Sequence, residues 1–222
     1  SSIDPVIGIA IFHTIFNLLG VILFIPLIAP FSKFIDHIVK EKKVTTTYYI
    51  QKALPDFPDE STSAFKNEVI YLIHLSMAHN AVLLNLDRKI LFKKFVDQPY
   101  YETLINFSAL DLYTTIKKNQ TELFKFGAQM QQNELTESTA FEINRILHAT
   151  RYSVASSKSF KDIKKEVDEL SSSDQDEIEK IYHSLKSELT NFYSSMIHVL
   201  HNPDSSENVS TILKWNDKIR LN

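Results

Sequence analysis

Hydrophobic and polar positions divide the chain into two unlike parts. Residues 5 to 32 carry no charged side chain, and the stretch IAIFHTIFNLLGVILFIP, Ile9 to Pro26, is apolar on every face except for His13, Thr14 and Asn17. A helix from Pro5 to Phe31 would be roughly 40 Å long, against about 30 Å of membrane hydrocarbon, so the segment is long enough to span a bilayer. Pro26 and Pro30 are expected to kink that helix or to finish it.

After Phe34 the pattern changes to apolar residues at steps of three and four among charged ones, the signature of amphipathic helices. Four long helices and a shorter one are expected. The first runs from Ala64 to about Val96 on Phe65, Val69, Leu72, Leu83, Leu86 and Ile90, with Ser61, Thr62 or Ser63 as its cap. The second runs from about Tyr100 to Gln132 on Leu104, Phe107, Leu110, Leu112, Ile116, Leu123 and Phe126, with Gly127 as a weak point. A third spans about Thr136 to Leu170 on Ile143, Ile146, Leu147, Val154, Phe160, Ile163 and Val167. Ser172 and Gln175 have capping-box spacing before a fourth, on Ile178, Ile181, Leu185, Leu189, Phe192, Met196 and Leu200. HNPDSSEN, with Pro203, ends it, and Val209 to Asn222 supplies a fifth on Ile212, Trp215 and Ile219. The fold class is therefore all-α: a membrane-inserted segment over 1–35, a juxtamembrane connector over 36–60 and an antiparallel helical bundle over 61–222.

Composition sharpens this picture in a few places. The mean hydropathy of −0.13 hides the apolar start. Zero cysteines exclude disulfides and thiolate chemistry, and the formal net charge of −3 without a basic, aromatic-rich cluster gives no nucleic-acid surface. The start SSIDP is acidic and no small-residue cleavage pattern follows, unlike a signal peptide. Asp4 precedes the segment while Lys33, Lys40, Lys42 and Lys43 follow it, which by the positive-inside rule puts residues 36–222 in the cytoplasm. The chain opens on Ser1 and reads as a fragment of something longer.

His13, Asn17 and Gly20 follow i, i+4, i+7, with Thr14 beside them. An unpaired polar group in hydrocarbon costs several kcal/mol, so this face should meet other helices or a wet cavity. The string IAIFHTIFNLLGVILFIPLIAPF, through His13, Phe16 and Asn17, resembles the last membrane segments of sodium/phosphate cotransporters of the bacterial and animal type. INRILHATRYSVASSKSFKDIKK, Ile143 to Lys165, is similar to the third helix of the PhoU-like tails attached to those transporters. The resemblance implies the C-terminal part of a sodium-dependent phosphate symporter in a cell (inner) membrane, multi-pass when intact, with a cytoplasmic PhoU-like bundle that regulates or assembles it. Sodium and phosphate are then transported species and no cofactor is implied; the partners are the remaining transporter helices and lipid, with a homo-oligomer compatible and no nucleic acid. His13, Thr14 and Asn17 become either interhelical packing groups or part of an ion or substrate path. No glutamine/serine run of the family's substrate-binding kind occurs in this chain. A soluble PhoU-like adaptor that uses the apolar start as a core helix is the alternative.

No enzyme activity is expected, with no catalytic and no metal-binding residues. Where metal-binding PhoU proteins carry acidic clusters, ATRYSVASS has none. Asp162, Glu166 and Glu169 among Lys161, Lys164 and Lys165 read as a solvated charged face. Glu179 with His183, and His198 with His201, have metal spacing but lack a third ligand nearby in sequence. His74 and His79, the histidines a phosphotransfer bundle would need, lie in the apolar run LIHLSMAH and read as core.

Overall fold

A computed structural model describes residues 5–38, 45–202, 205 and 207–221. Every regular element among them is helical. The chain forms two compact units, Ser1–Val44 and Thr45–Asn222. Asp4, Lys40, Lys42, Lys43 and Pro203, on which the sequence reading draws, lie outside the described residues.

The first unit is a single helix, α1, Pro5–Ile38. It continues past Pro26 and Pro30 for a further two turns, so neither proline finishes it. The window Ile11–Ile28 is long and apolar enough to cross a membrane, and 0% of it is buried. That full exposure runs against a core-helix role, because a core helix buries its apolar side chains.

The second unit is built around α2, Pro58–Leu83. Pro58 occupies the first helical position, where its missing N–H costs nothing, and Asp59 and Glu60 favour the positive end of the helix dipole. The expected cap at Ser61, Thr62 or Ser63 is not formed: Ser61 Oγ instead donates to the Leu54 carbonyl at 2.7 Å and Thr62 Oγ1 to that of Pro58 at 2.7 Å. Phe65, Val69 and Leu72 face the core as their spacing predicts, and Leu75 joins them.

The helix expected to reach Val96 ends thirteen residues early. Asn85 takes a left-handed conformation, φ 54°, and the Leu86 amide donates to the Ala81 carbonyl at 2.8 Å, a Schellman-type ending. Asn tolerates this region better than other side-chain-bearing residues, so the L-N-L-D sequence contained its own stop signal. Asp87 then caps α3, Arg88–Leu91, accepting from the amides of Lys89 and Ile90. A 3-10 turn, Lys93–Phe95, and α4, Tyr101–Asn106, follow. Arg88 holds this excursion in place by donating to the carbonyls of Leu104 and Phe107 at 2.9 and 2.8 Å. Leu86 enters the core as expected, whereas Ile90 stays 61% exposed because the helix that would have turned it inward no longer exists.

Ser108 caps α5, Ala109–Met130, which displaces the expected start at Tyr100 and leaves Leu110 exposed. Thr136 caps α6, Glu137–Asp162. Both helices pack against α2 and against each other. Gly127 is a close-approach point: a Cβ there would lie 3.0 Å from Leu147 Cδ2 and from Phe65 Cζ. The third expected helix is split at Ile163 into α6 and α7, Lys164–Ser171, and Ile163 itself is solvent-exposed.

Helix α8, Asp176–His201, starts where expected but without the Ser172 capping box; Gln175 is its cap position and forms no side-chain capping bond. Its buried residues are Tyr193 and Ile197, while Ile181 and Leu185, expected in the core, are exposed. Helix α9, Glu207–Leu221, packs on α8 through Phe192 and Trp215, whose rings stand edge-on at 5.3 Å. The Ile219 side chain lies outside the described ones.

Candidate functional site

Three of the sequence-predicted residues, His13, Thr14 and Asn17, are exposed on α1, with Gly20 half-buried on the same face. The candidate metal spacings resolve into ordinary surface pairs. Glu179 and His183 face each other at 3.5 Å in solvent, Lys165 pairs with Glu169 at 3.4 Å, and Lys164 pairs with Asp168. The break at Ile163 also keeps Asp162 and Glu166 from sharing one continuous helix. Among the described residues no cluster of three or more potential ligands exists. His79 and His74 are buried in α2, out of reach of a phosphoryl donor, and His201 lies edge-on to Phe95 at 5.9 Å.

The most unusual group in the molecule is Glu68, a carboxylate with no exposed surface. It sits on the core face of α2, three residues after Phe65 and four before Leu72. Its Oε2 accepts from the backbone amides of Tyr48 at 2.9 Å, Tyr49 at 2.7 Å and Ile50 at 3.3 Å. Its Oε1 accepts from Asn119 Nδ2 at 2.6 Å, and the same Nδ2 donates to the Thr46 carbonyl at 2.7 Å. Burial of a bare carboxylate is expensive, but a ring of three converging amides and one side-chain amide supplies the strong acceptor bonds that offset it. Three successive N–H groups aimed at one anion form the concave arrangement found at helix starts, here ahead of the 3-10 turn Ile50–Lys52.

What Glu68 grips is the segment by which the chain first enters the bundle. Residues 45–57, which the sequence reads as connector, carry Thr47 and Ile50 in buried positions. Tyr48 packs its ring edge-on to Tyr71 at 5.0 Å and to Tyr100 at 5.6 Å. Burial raises all three phenols above their ordinary range, so they stay neutral. Next along the same face of α2, His74 stands edge-on to Phe92 and Phe95 and stacks on Tyr100, and both of its ring nitrogens lack a hydrogen-bond partner. Burial, with a smaller contribution from His201, pushes it down to about 4.

The site is a clasp. Its carboxylate is sealed from solvent, and its bonds run to backbone that precedes Glu68 itself by only eighteen to twenty residues. Sequence reasoning passed over Glu68. A signal existed: it is the last charged side chain before an uncharged run from Val69 to Leu86, and it sits in register with the apolar stripe. Asn119, on α5, gives no comparable signal, since an asparagine amid Lys118 and Gln120 reads as surface. Comparison of the chain with protein families, with curated proteins and with solved structures returns no match.

Proposed function

We propose that this chain is the C-terminal portion of a sodium-dependent inorganic phosphate symporter, in which α1 lies in the membrane and the PhoU-like bundle on the cytoplasmic side regulates or assembles the transporter. The observation that carries the reading is the Glu68 clasp. A bundle can bias a transporter only if its packing differs between the transporter's states. A covalent tether transmits that difference only if its bundle end is held firmly. Glu68 and Asn119 hold residues 46–50 by four hydrogen bonds within the bundle core and are joined to each other by a fifth. The exposed apolar surface of α1 supports the membrane part.

In this reading His13, Thr14 and Asn17 face the other helices of the transporter. Sodium-driven phosphate uptake by vesicles is the test, with the intact transporter compared with the same protein lacking residues 45–222 and with its Glu68→Gln form. Uptake or its response to phosphate should change in both altered proteins. Identical uptake, expression and phosphate response in all three would remove the regulatory reading. Carbonate extraction tests the membrane part: release of the chain into the soluble fraction would favour a soluble adaptor.

A further inference from the structure

The excursion between α2 and α5 carries the run RKILFKKFV, Arg88 to Val96. Helix α3 passes into the 3-10 turn Lys93–Phe95, and Val96 keeps helical dihedrals, φ −54° and ψ −31°, so the run forms one short, nearly continuous rod. Its inner face is Leu91, Phe92 and Phe95, all buried, together with the Arg88 guanidinium that donates to the carbonyls of Leu104 and Phe107. Its outer face is Lys89, Ile90, Lys93, Lys94 and Val96. Ile90 and Val96 are 61% and 60% exposed, so two aliphatic side chains stand in solvent among three ammonium groups.

Those lysines are uncompensated: none of them forms an ion pair among the described residues. Asp87 is turned to the Lys89 and Ile90 amides as their cap, and Glu102 on α4 bonds Asn106. Asp97 is the acid left exposed at the far end, so three lysines against one carboxylate leave residues 89–97 at +2, in a chain whose formal net charge is −3. Other exposed apolar side chains of the second unit keep acidic company: Leu54 and Phe57 flank Asp56, Leu110 precedes Asp111 and Ile163 follows Asp162.

Lysines set around aliphatic side chains fit an anionic lipid surface. Each ammonium meets headgroup phosphates and carboxylates while its alkyl stem lies along apolar ground, and Ile90 and Val96 reach the acyl boundary. A nucleic acid would need rings on which to stack its bases, but Phe92 and Phe95 are turned inward. On the membrane reading of α1, a bilayer is already tethered to the second unit, so a contact too weak to recruit the protein from solution is enough to dock it. We infer that the Lys89–Val96 face docks on anionic lipid of the membrane in which α1 lies. This rests on the membrane reading of α1 and does not require phosphate transport.

The test is nitroxide accessibility of the full chain reconstituted in lipid nanodiscs. The chain has no cysteine, so a single label can be placed at Val96→Cys to report on the face, or at Ile22→Cys to report on α1. Both side chains are exposed, and helicity by circular dichroism should match the wild type. In phosphatidylserine-containing discs the Val96 label should lose collisions with a water-soluble nickel chelate and gain collisions with oxygen, relative to phosphatidylcholine discs. Lys89→Gln, Lys93→Gln and Lys94→Gln together should lower the docked-to-free ratio about a hundredfold, at about fivefold per lysine, and return the label to water. A Val96 label equally accessible to nickel in both kinds of disc, or shielding that survives loss of the lysines, overturns the inference, while a lipid-exposed Ile22 label keeps the membrane reading standing. Dipolar broadening between Val96 labels would assign the face to a second copy and overturn it too. A water-exposed Ile22 label sinks the membrane reading itself, and the docking with it.

Discussion

Replacing Glu68 by Gln keeps the shape of the side chain and removes one acceptor and the charge. Oε2 serves three amides and Oε1 serves Asn119, so a glutamine must choose. With its single oxygen toward the amides, its NH2 meets the Asn119 NH2. Turning the Asn119 amide over would offer Oδ1, which has no partner now, but would set that oxygen against the Thr46 carbonyl. The substitution therefore weakens three charge-assisted bonds and leaves one polar pair mismatched, a cost of about 2–3 kcal/mol. Glu68→Ala, which strands the amides altogether, should cost about 3–5 kcal/mol. Amide hydrogen exchange of the full chain in detergent reads the effect locally. A loss of about 2 kcal/mol lowers protection of the Tyr48, Tyr49 and Ile50 amides roughly thirtyfold. Glu68→Gln with unchanged protection at these three amides and an unchanged urea midpoint would refute the clasp.

The remaining expectations concern other parts of the chain. His74 has its folded pKa near 4, below the ordinary 6.5, so its contribution to stability is complete above pH 6.5 and is lost as pH falls from there toward 4. Between pH 7 and pH 5 urea titration should show a loss of about 2 kcal/mol that His74→Phe abolishes; equal losses in both proteins would contradict the assignment. Asn85→Leu must place a bulky residue at φ 54° and should cost about 1–2 kcal/mol, whereas Asn85→Gly should be neutral or slightly stabilising in the same titration. In the intact transporter, Asn17→Leu should lower the amount of assembled protein in the membrane before it alters sodium or phosphate affinity, and the reverse order would favour an ion-path role for Asn17.

Much of the architecture is local and was therefore readable in the chain. Apolar spacing forces α1, α5, α6 and α8 to be helices, because a stripe repeating every three to four residues can be buried only in that geometry, and an uncharged run of 28 residues makes α1 apolar all round. The stop at Asn85 and the restarts at Asp87 and Ser108 were also written locally, in residues that cap or turn, but a continuing apolar pattern masked them. What only the tertiary structure decided is which stripe finds a partner. Ile181 and Leu185 keep perfect helical spacing yet remain in solvent, since burial depends on a neighbour the periodicity does not name. The clasp is the extreme case: Glu68, Asn119, the Thr46 carbonyl and the Tyr48–Ile50 amides are separated by up to 73 residues along the chain and meet only when α2, α5 and the incoming segment pack together. A charge in an apolar stripe announces that it must be satisfied; the fold alone determines by whom.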